Sequence, residues 1–190
     1  MSLPQRLCLG SALLVVVIYG GDLDAAAPAT LGAVSDVRVG FRASGPAGMT
    51  IEGTTPDLRV GGDDTTTVLT VPLANLTTGI ALRDEHMRTK YLEVPKYPNA
   101  TLRVARADLR FPEGGNRAEA DAPGTLELHG KTNPVTLHYD AALDGGAVVV
   151  HGRFHVKMTD FDISVPSYLG VTVKPDVDVS AAFKVARSGP

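Results

Sequence analysis

Between residues 148 and 158 the even positions carry Val148, Val150, Gly152, Phe154, Val156 and Met158, while His151, Arg153, His155 and Lys157 occupy the odd ones. A period of two sends successive side chains to opposite faces of a strand. The segment therefore predicts a half-buried antiparallel strand with one dry face and one wet face. The same phase recurs at Val37, Val39 and Phe41, at Leu69, Val71 and Leu73, at Leu102 and Val104, and at Leu126 and Leu128. It recurs again at Val135, Leu137 and Tyr139, and from Val177 through Val179, Ala181 and Phe183 to Val185. Strands apolar on one side must curl on themselves or stack as two sheets, because a lone sheet leaves that side in water. The chain is expected to be all-β, a barrel or a sandwich.

Turn chemistry supports antiparallel neighbours. Asp144-Gly145 lies between two alternating runs and predicts a tight hairpin, since a type I′ turn needs positive φ at both central positions. That loop sets Leu143 opposite Gly146, Tyr139 opposite Val150, Val135 opposite Phe154 and His138 opposite His151. A loop at Gly145-Gly146 keeps the same faces. Pro175 cannot donate to a ladder, so a final strand is expected over 177–185. The period of two breaks where Asp84 and Glu85 precede Arg88 and Lys90, with Leu82, Met87 and Tyr91 near helical spacing and Pro95 ending the run. Acid first and base last suits the helix dipole, so a short helix is predicted across one end of the β structure.

Composition narrows the function. The formal net charge of −3 offers no basic excess for a phosphate backbone, which argues against nucleic-acid binding. Near the start, Arg6 precedes an apolar run over 7–19 that is too short to span a bilayer core of about 30 Å as a helix. With Ala27-Pro28-Ala29 behind it, this predicts a signal peptide over 1–29 and one processed domain over 30–190. The location expected is periplasmic or secreted, with no stable membrane anchor after cleavage. Cys8, the single cysteine, falls inside the expected signal segment, so the domain is expected to lack disulfides and thiolate chemistry.

Four stretches, in this order, carry a resemblance: Leu82-Arg83-Asp84-Glu85-His86-Met87; Tyr97-Pro98-Asn99-Ala100-Thr101-Leu102; Leu126-Glu127-Leu128-His129-Gly130-Lys131-Thr132-Asn133-Pro134-Val135-Thr136-Leu137; and Asp160-Phe161-Asp162-Ile163. Together they resemble the motifs of the YceI-like family, well over 64–185 and loosely over 34–63. The resemblance implies an eight-stranded antiparallel lipocalin-like barrel whose interior holds a long apolar molecule: a polyisoprenoid, an isoprenoid quinone, or a fatty amide or acid. The chain departs from the pattern in three places. It has no early Asp-x-x-His stretch, Asp162 stands where glycine is usual, and Lys157-Met158-Thr159 replaces the usual Arg-Ser or Arg-Thr.

Eight strands leave an interior just large enough to be filled by side chains or to hold one small ligand. With five Phe and no Trp, and inward faces mostly of Val, Leu, Ala and Gly, an unfilled interior is expected. Its predicted lining is Leu69, Val71, Leu102, Val104, Leu126, Leu128, Phe154, Phe161 and Ile163. Asp84 and His86 are candidate contacts for a ligand head group, or His86 a general base; the same pair on a short helix also serves to cap backbone groups. No cysteine, Gly-x-Ser-x-Gly elbow or paired carboxylates accompany them, so binding is expected rather than catalysis. His129, His138, His151 and His155 fall on the polar phase and are expected to be solvated. His151 and His155 stand about 13 Å apart on a strand, and an opposed His138 and His151 would give two ligands where metals usually take three or four. No metal and no cofactor beyond a bound lipid is predicted; the partner expected is an apolar small molecule.

Overall fold

The computed structural model describes residues 29–30, 33–112, 117–168 and 171–186. The expected signal segment lies outside them except for Ala29. Twelve strands follow in chain order: β1 (Ala29–Thr30), β2 (Val34–Ser44), β3 (Thr50–Thr55), β4 (Arg59–Gly62), β5 (Thr66–Pro72), β6 (Asn99–Ala105), β7 (Ala118–Leu128), β8 (Lys131–Asp144), β9 (Ala147–Lys157), β10 (Ser167–Tyr168), β11 (Val171–Thr172) and β12 (Asp176–Ala186). Ten of them make one sheet in the order β1-β4-β5-β6-β7-β8-β9-β12-β2-β3, and β10 and β11 form a separate ribbon. Eight strands of the sheet, β2, β3, β5 to β9 and β12, are six residues or longer. Their number is the expected eight, β3 joining the seven that alternation marks; the short β4 and β1 extend one edge.

The sheet curls because its apolar face has nothing else to cover it. The β3 edge meets the segment that follows β5, where the Thr54 amide donates to the Thr77 carbonyl at 2.8 Å and the Thr77 amide returns a bond to Thr54 at 3.0 Å. An edge that would otherwise offer unpaired backbone groups is thereby tied down. β3, which shows no apolar alternation, faces inward through Ile51, Gly53 and Thr55. Gly53 is required there, since a Cβ would stand 2.3 Å from the Phe41 ring.

The segment joining β5 to β6 closes one end. It contains α1 (Ala81–His86), which runs into a π-helical turn over Met87–Tyr91. Leu73, Leu76, Met87 and Val94 pack there against Phe41, Val71, Ala100 and Leu128. The predicted helix is thus present, at the end where Leu73 donates to the Pro98 carbonyl. Phe161, 1% exposed, and Ile163 add to the main core with Leu102, Leu126 and Val156.

Two sequence expectations are corrected. The β8–β9 loop is Gly145-Gly146, with Asp144 opposite Ala147, Tyr139 opposite Gly152 and His138 opposite Arg153. Gly145 takes φ 59° at no steric cost, whereas a loop at Asp144-Gly145 would have forced Asp144 into the left-handed region. His138 and His151 are therefore not opposed; His151 faces Asp140. His129, expected in solvent, sits in the β7–β8 turn at φ 51° with its side chain only 12% exposed. Its Nδ1 pairs with the Phe161 carbonyl at 2.9 Å and its ring stacks edge-on against Tyr97. A turn residue escapes the strand phase that would have turned it outward.

Asp162, the residue in the usual glycine place, has φ 55° and ψ 24°. That left-handed conformation strains a side chain bearing Cβ, and the exposed ion pair to Lys131 at 2.8 Å returns little of it. Asp162→Gly is expected to raise stability by about 0.5 kcal/mol, measured by urea unfolding. A loss of stability would show that the Lys131 pair matters more than the backbone.

Candidate functional site

The interior is not filled. A cavity of about 1350 Å³ runs through the barrel, bordered by inward residues of every long strand and by the α1 segment. Small residues make the room: Ala43, Ala100, Ala141, Gly152 and Ala181 all border it. Ala181 lies opposite both Val39 and Gly152, and Gly152 opposite Tyr139, so the belt across β2, β12, β9 and β8 sets two small residues side by side between two large ones. Close packing, the usual state of protein interiors, fails here because these positions carry too little volume.

Leu69, Val71, Leu102, Leu126, Leu128, Phe154, Phe161 and Ile163 all border the cavity. Val104 does not. It is 2% exposed and belongs to the packed core with Ala122, Leu126 and Tyr139. Gly124 opposite leaves space that Leu102 and Val104 fill: a Cβ on that glycine would come within 3.1 and 3.2 Å of their side chains. The strand phase gave the right face for Val104 but could not show that a neighbour's missing side chain lets it sink out of the lining.

The two head-group candidates separate. His86 borders the cavity and is exposed. Asp84 does not border it and is 5% exposed. Its carboxylate accepts from the hydroxyls of Thr77 and Thr78 and from the Thr78 amide at 2.7 Å. Burial works against its charge, but these donors and the nearby Arg88 outweigh it and bring the pKa down to about 2. Asp84 is thus a fixed anion that shapes the turn into α1, with no lone pair turned to a ligand and no partnership with His86. It is withdrawn as a head-group contact and as half of an acid–base pair.

Lining residues that sequence periodicity did not reveal come from the irregular parts: Met49 and Ile51 beside β2, Leu58 and Val60 around β4, and Ile80 and Leu82 at the start of α1. Ile80 and Leu82 are 53% and 63% exposed, unusual for large apolar side chains. Among the described residues no three His, Cys, Asp or Glu side chains gather as a metal would require. His138, His151 and His155 are on the outer surface, each bonded to aspartate: Asp121, Asp140, and the pair Asp178 and Asp176.

The family pattern described as the YceI-like domain matches residues 32–185. Among solved structures, a polyisoprenoid-binding domain from Saccharophagus degradans implicated in plant cell wall breakdown is 20% identical, with a TM-score of 0.66 over 84% of this chain and 99% of that one. BcnA of Burkholderia cenocepacia is 19% identical, with a TM-score of 0.64 over 79% of this chain and 96% of its own. The Campylobacter jejuni YceI protein is 17% identical, with a TM-score of 0.52 over 72% of this chain and 85% of its own. No curated protein matches significantly by sequence. At these identities the solved structures speak for the fold, and the sequence pattern for membership. With a curled antiparallel sheet, one short helix and a match across nearly all of the described residues, the chain belongs to the YceI-like domain family.

Proposed function

We propose that this protein is a periplasmic or secreted binding and carrier protein that holds a long apolar molecule, of the polyisoprenoid, quinone or fatty-chain class, inside its barrel. The observation that carries the reading is the large apolar cavity. At about 1350 Å³ it exceeds the roughly 300–1,000 Å³ of sites that take drug-sized ligands. A tail losing some 300 Å² of apolar surface would gain on the order of 7 kcal/mol before entropic costs. The polyisoprenoid-binding Saccharophagus degradans domain supports the ligand class. The apolar run over 7–19 and the Ala-x-Ala stretch support export. Binding is favoured over catalysis because the one buried carboxylate near the cavity, Asp84, is consumed by Thr77 and Thr78.

Protein purified from its native host without detergent is expected to release a long-chain lipid at close to one equivalent on organic extraction, identified by mass spectrometry. A clean extract, together with no uptake of added long-chain lipid by the purified protein, would end the carrier reading.

A further inference from the structure

Among the described residues the charges that border the cavity are of one sign. The chain has 21 acidic residues against 18 basic ones, yet no described aspartate or glutamate borders the cavity. Arg83, His86, Lys90, Arg106 and Arg110 do border it. They fall into two groups by topology. Arg106 and Arg110 follow β6 at the end where Thr66 pairs with Ala105; Arg83, His86 and Lys90 belong to the helical segment between β5 and β6, which leaves and re-enters at the Pro72 and Asn99 end. The Arg106 guanidinium leans on the Asp63 carbonyl at 3.4 Å, and its charge is shared with the Asp63 carboxylate.

The α1 group is different. Positions 83, 86 and 90 recur at helical spacing, while Asp84 and Glu85 between them do not border the cavity. Arg83 donates to the Thr78 hydroxyl at 2.7 Å and the Thr78 carbonyl at 2.9 Å, so its guanidinium is oriented, and the Asp84 carboxylate meets it only through that hydroxyl. It also borders a polar hollow with Arg42 and Glu52, where Glu52 is already engaged by Arg42 at 2.6 Å. Lys90 lies 5.5 Å from the centre of the Tyr91 ring and has no carboxylate partner among the described residues. An apolar chamber with cations at one end that no described carboxylate bridges directly matches a molecule with a long tail and one negative head.

Building on the carrier reading, we infer that the cavity selects amphiphiles with an anionic head, phosphate or carboxylate, seated on Arg83, His86 and Lys90, with the tail along the barrel. Charge-assisted bonds from Arg and Lys to such a head are about twice as strong as neutral ones. A neutral head would leave those cations with only water.

The test compares four twelve-carbon probes below their micelle concentrations by titration calorimetry: dodecyl phosphate, dodecanoate, dodecanol and dodecyltrimethylammonium. The better anion is expected to bind at least about tenfold tighter than dodecanol, and the cationic probe more weakly than the alcohol. The ranking of phosphate against carboxylate identifies the head. Lys90→Gln is expected to weaken the anions several-fold and leave dodecanol unchanged, and adding Arg83→Gln to remove the remaining preference. Because Arg83 also braces Thr78, Lys90→Gln alone decides the matter if the double variant unfolds. Equal binding of anion and alcohol, or an anion preference untouched by Lys90→Gln, overturns the inference while leaving the carrier reading in place. Failure of all four probes to bind overturns the inference, while the carrier reading is decided by long-chain lipid extraction and uptake.

Discussion

Asp84→Ala is expected to lower unfolding stability by about 3 kcal/mol, because it strands three donors at once in a partly buried turn. The Thr77 hydroxyl, Thr78 hydroxyl and Thr78 amide all converge on that carboxylate. Thr77 also pairs through its backbone with Thr54, so the loss reaches the bridge that holds the β3 edge to the segment after β5. For a chain of this size the melting temperature should fall by roughly 6–12 °C. Asp84→Asn should cost less, since its amide oxygen still accepts. The pH dependence has a fixed sign. The folded pKa, about 2, lies below the usual carboxylate value of 3.8, so the Asp84 contribution is complete above the usual value and is lost as pH falls through about 2. The stability gap between the protein and Asp84→Asn should therefore narrow from about pH 4 down to about pH 2. Denaturant unfolding at several pH values measures both effects. A loss below 1 kcal/mol at pH 7, or a gap that widens on acidification, would show that the carboxylate is not the brace of this turn.

How much of this could be read from the chain depended on where apolar alternation survives. β5 through β9 and β12 declare themselves because their inward positions are large and apolar, as in the run from Val148 to Met158. β3 was invisible for the opposite reason: its inward places hold Gly53, which yields its space to the Phe41 ring, and Thr55, 2% exposed yet polar. Periodicity identifies the face a residue occupies and says nothing of how deep it lies, which is why Val104 was assigned to the lining and turned out packed beside Gly124. The Asp84 and His86 pair shows a second limit. Their closeness in sequence suggested joint chemistry, but a helix turns each residue about 100° from the last, and Asp84 turns to the threonines while His86 borders the cavity. The volume of the cavity was written in small inward residues, Gly152 and Ala181 above all, whose meaning depends on what stands opposite them and hence on a register that only the structure supplied.

Ala181→Trp puts that volume to the test, with the largest expected effect on binding. The residue borders the cavity at mid-barrel, opposite Val39 on one side and Gly152 on the other. In a close-packed interior an indole added at such a point would strain rotamers and backbone by about 1–3 kcal/mol. Here the added ring has empty apolar space to occupy, so stability should change by less than about 1 kcal/mol. An indole that displaces about 100 Å² of tail contact removes about 2.5 kcal/mol, and long-tail binding should weaken by roughly seventyfold. Those two results together separate a chamber from a core, since a packed barrel predicts the reverse: marked destabilisation and no ligand to lose. Twelve-carbon and longer tails, titrated against the protein and the variant alongside their urea midpoints, make the distinction. If Ala181→Trp unfolds more readily by over 2 kcal/mol and still binds the tail unchanged, the tail does not occupy the middle of the barrel, and the cavity is not the site.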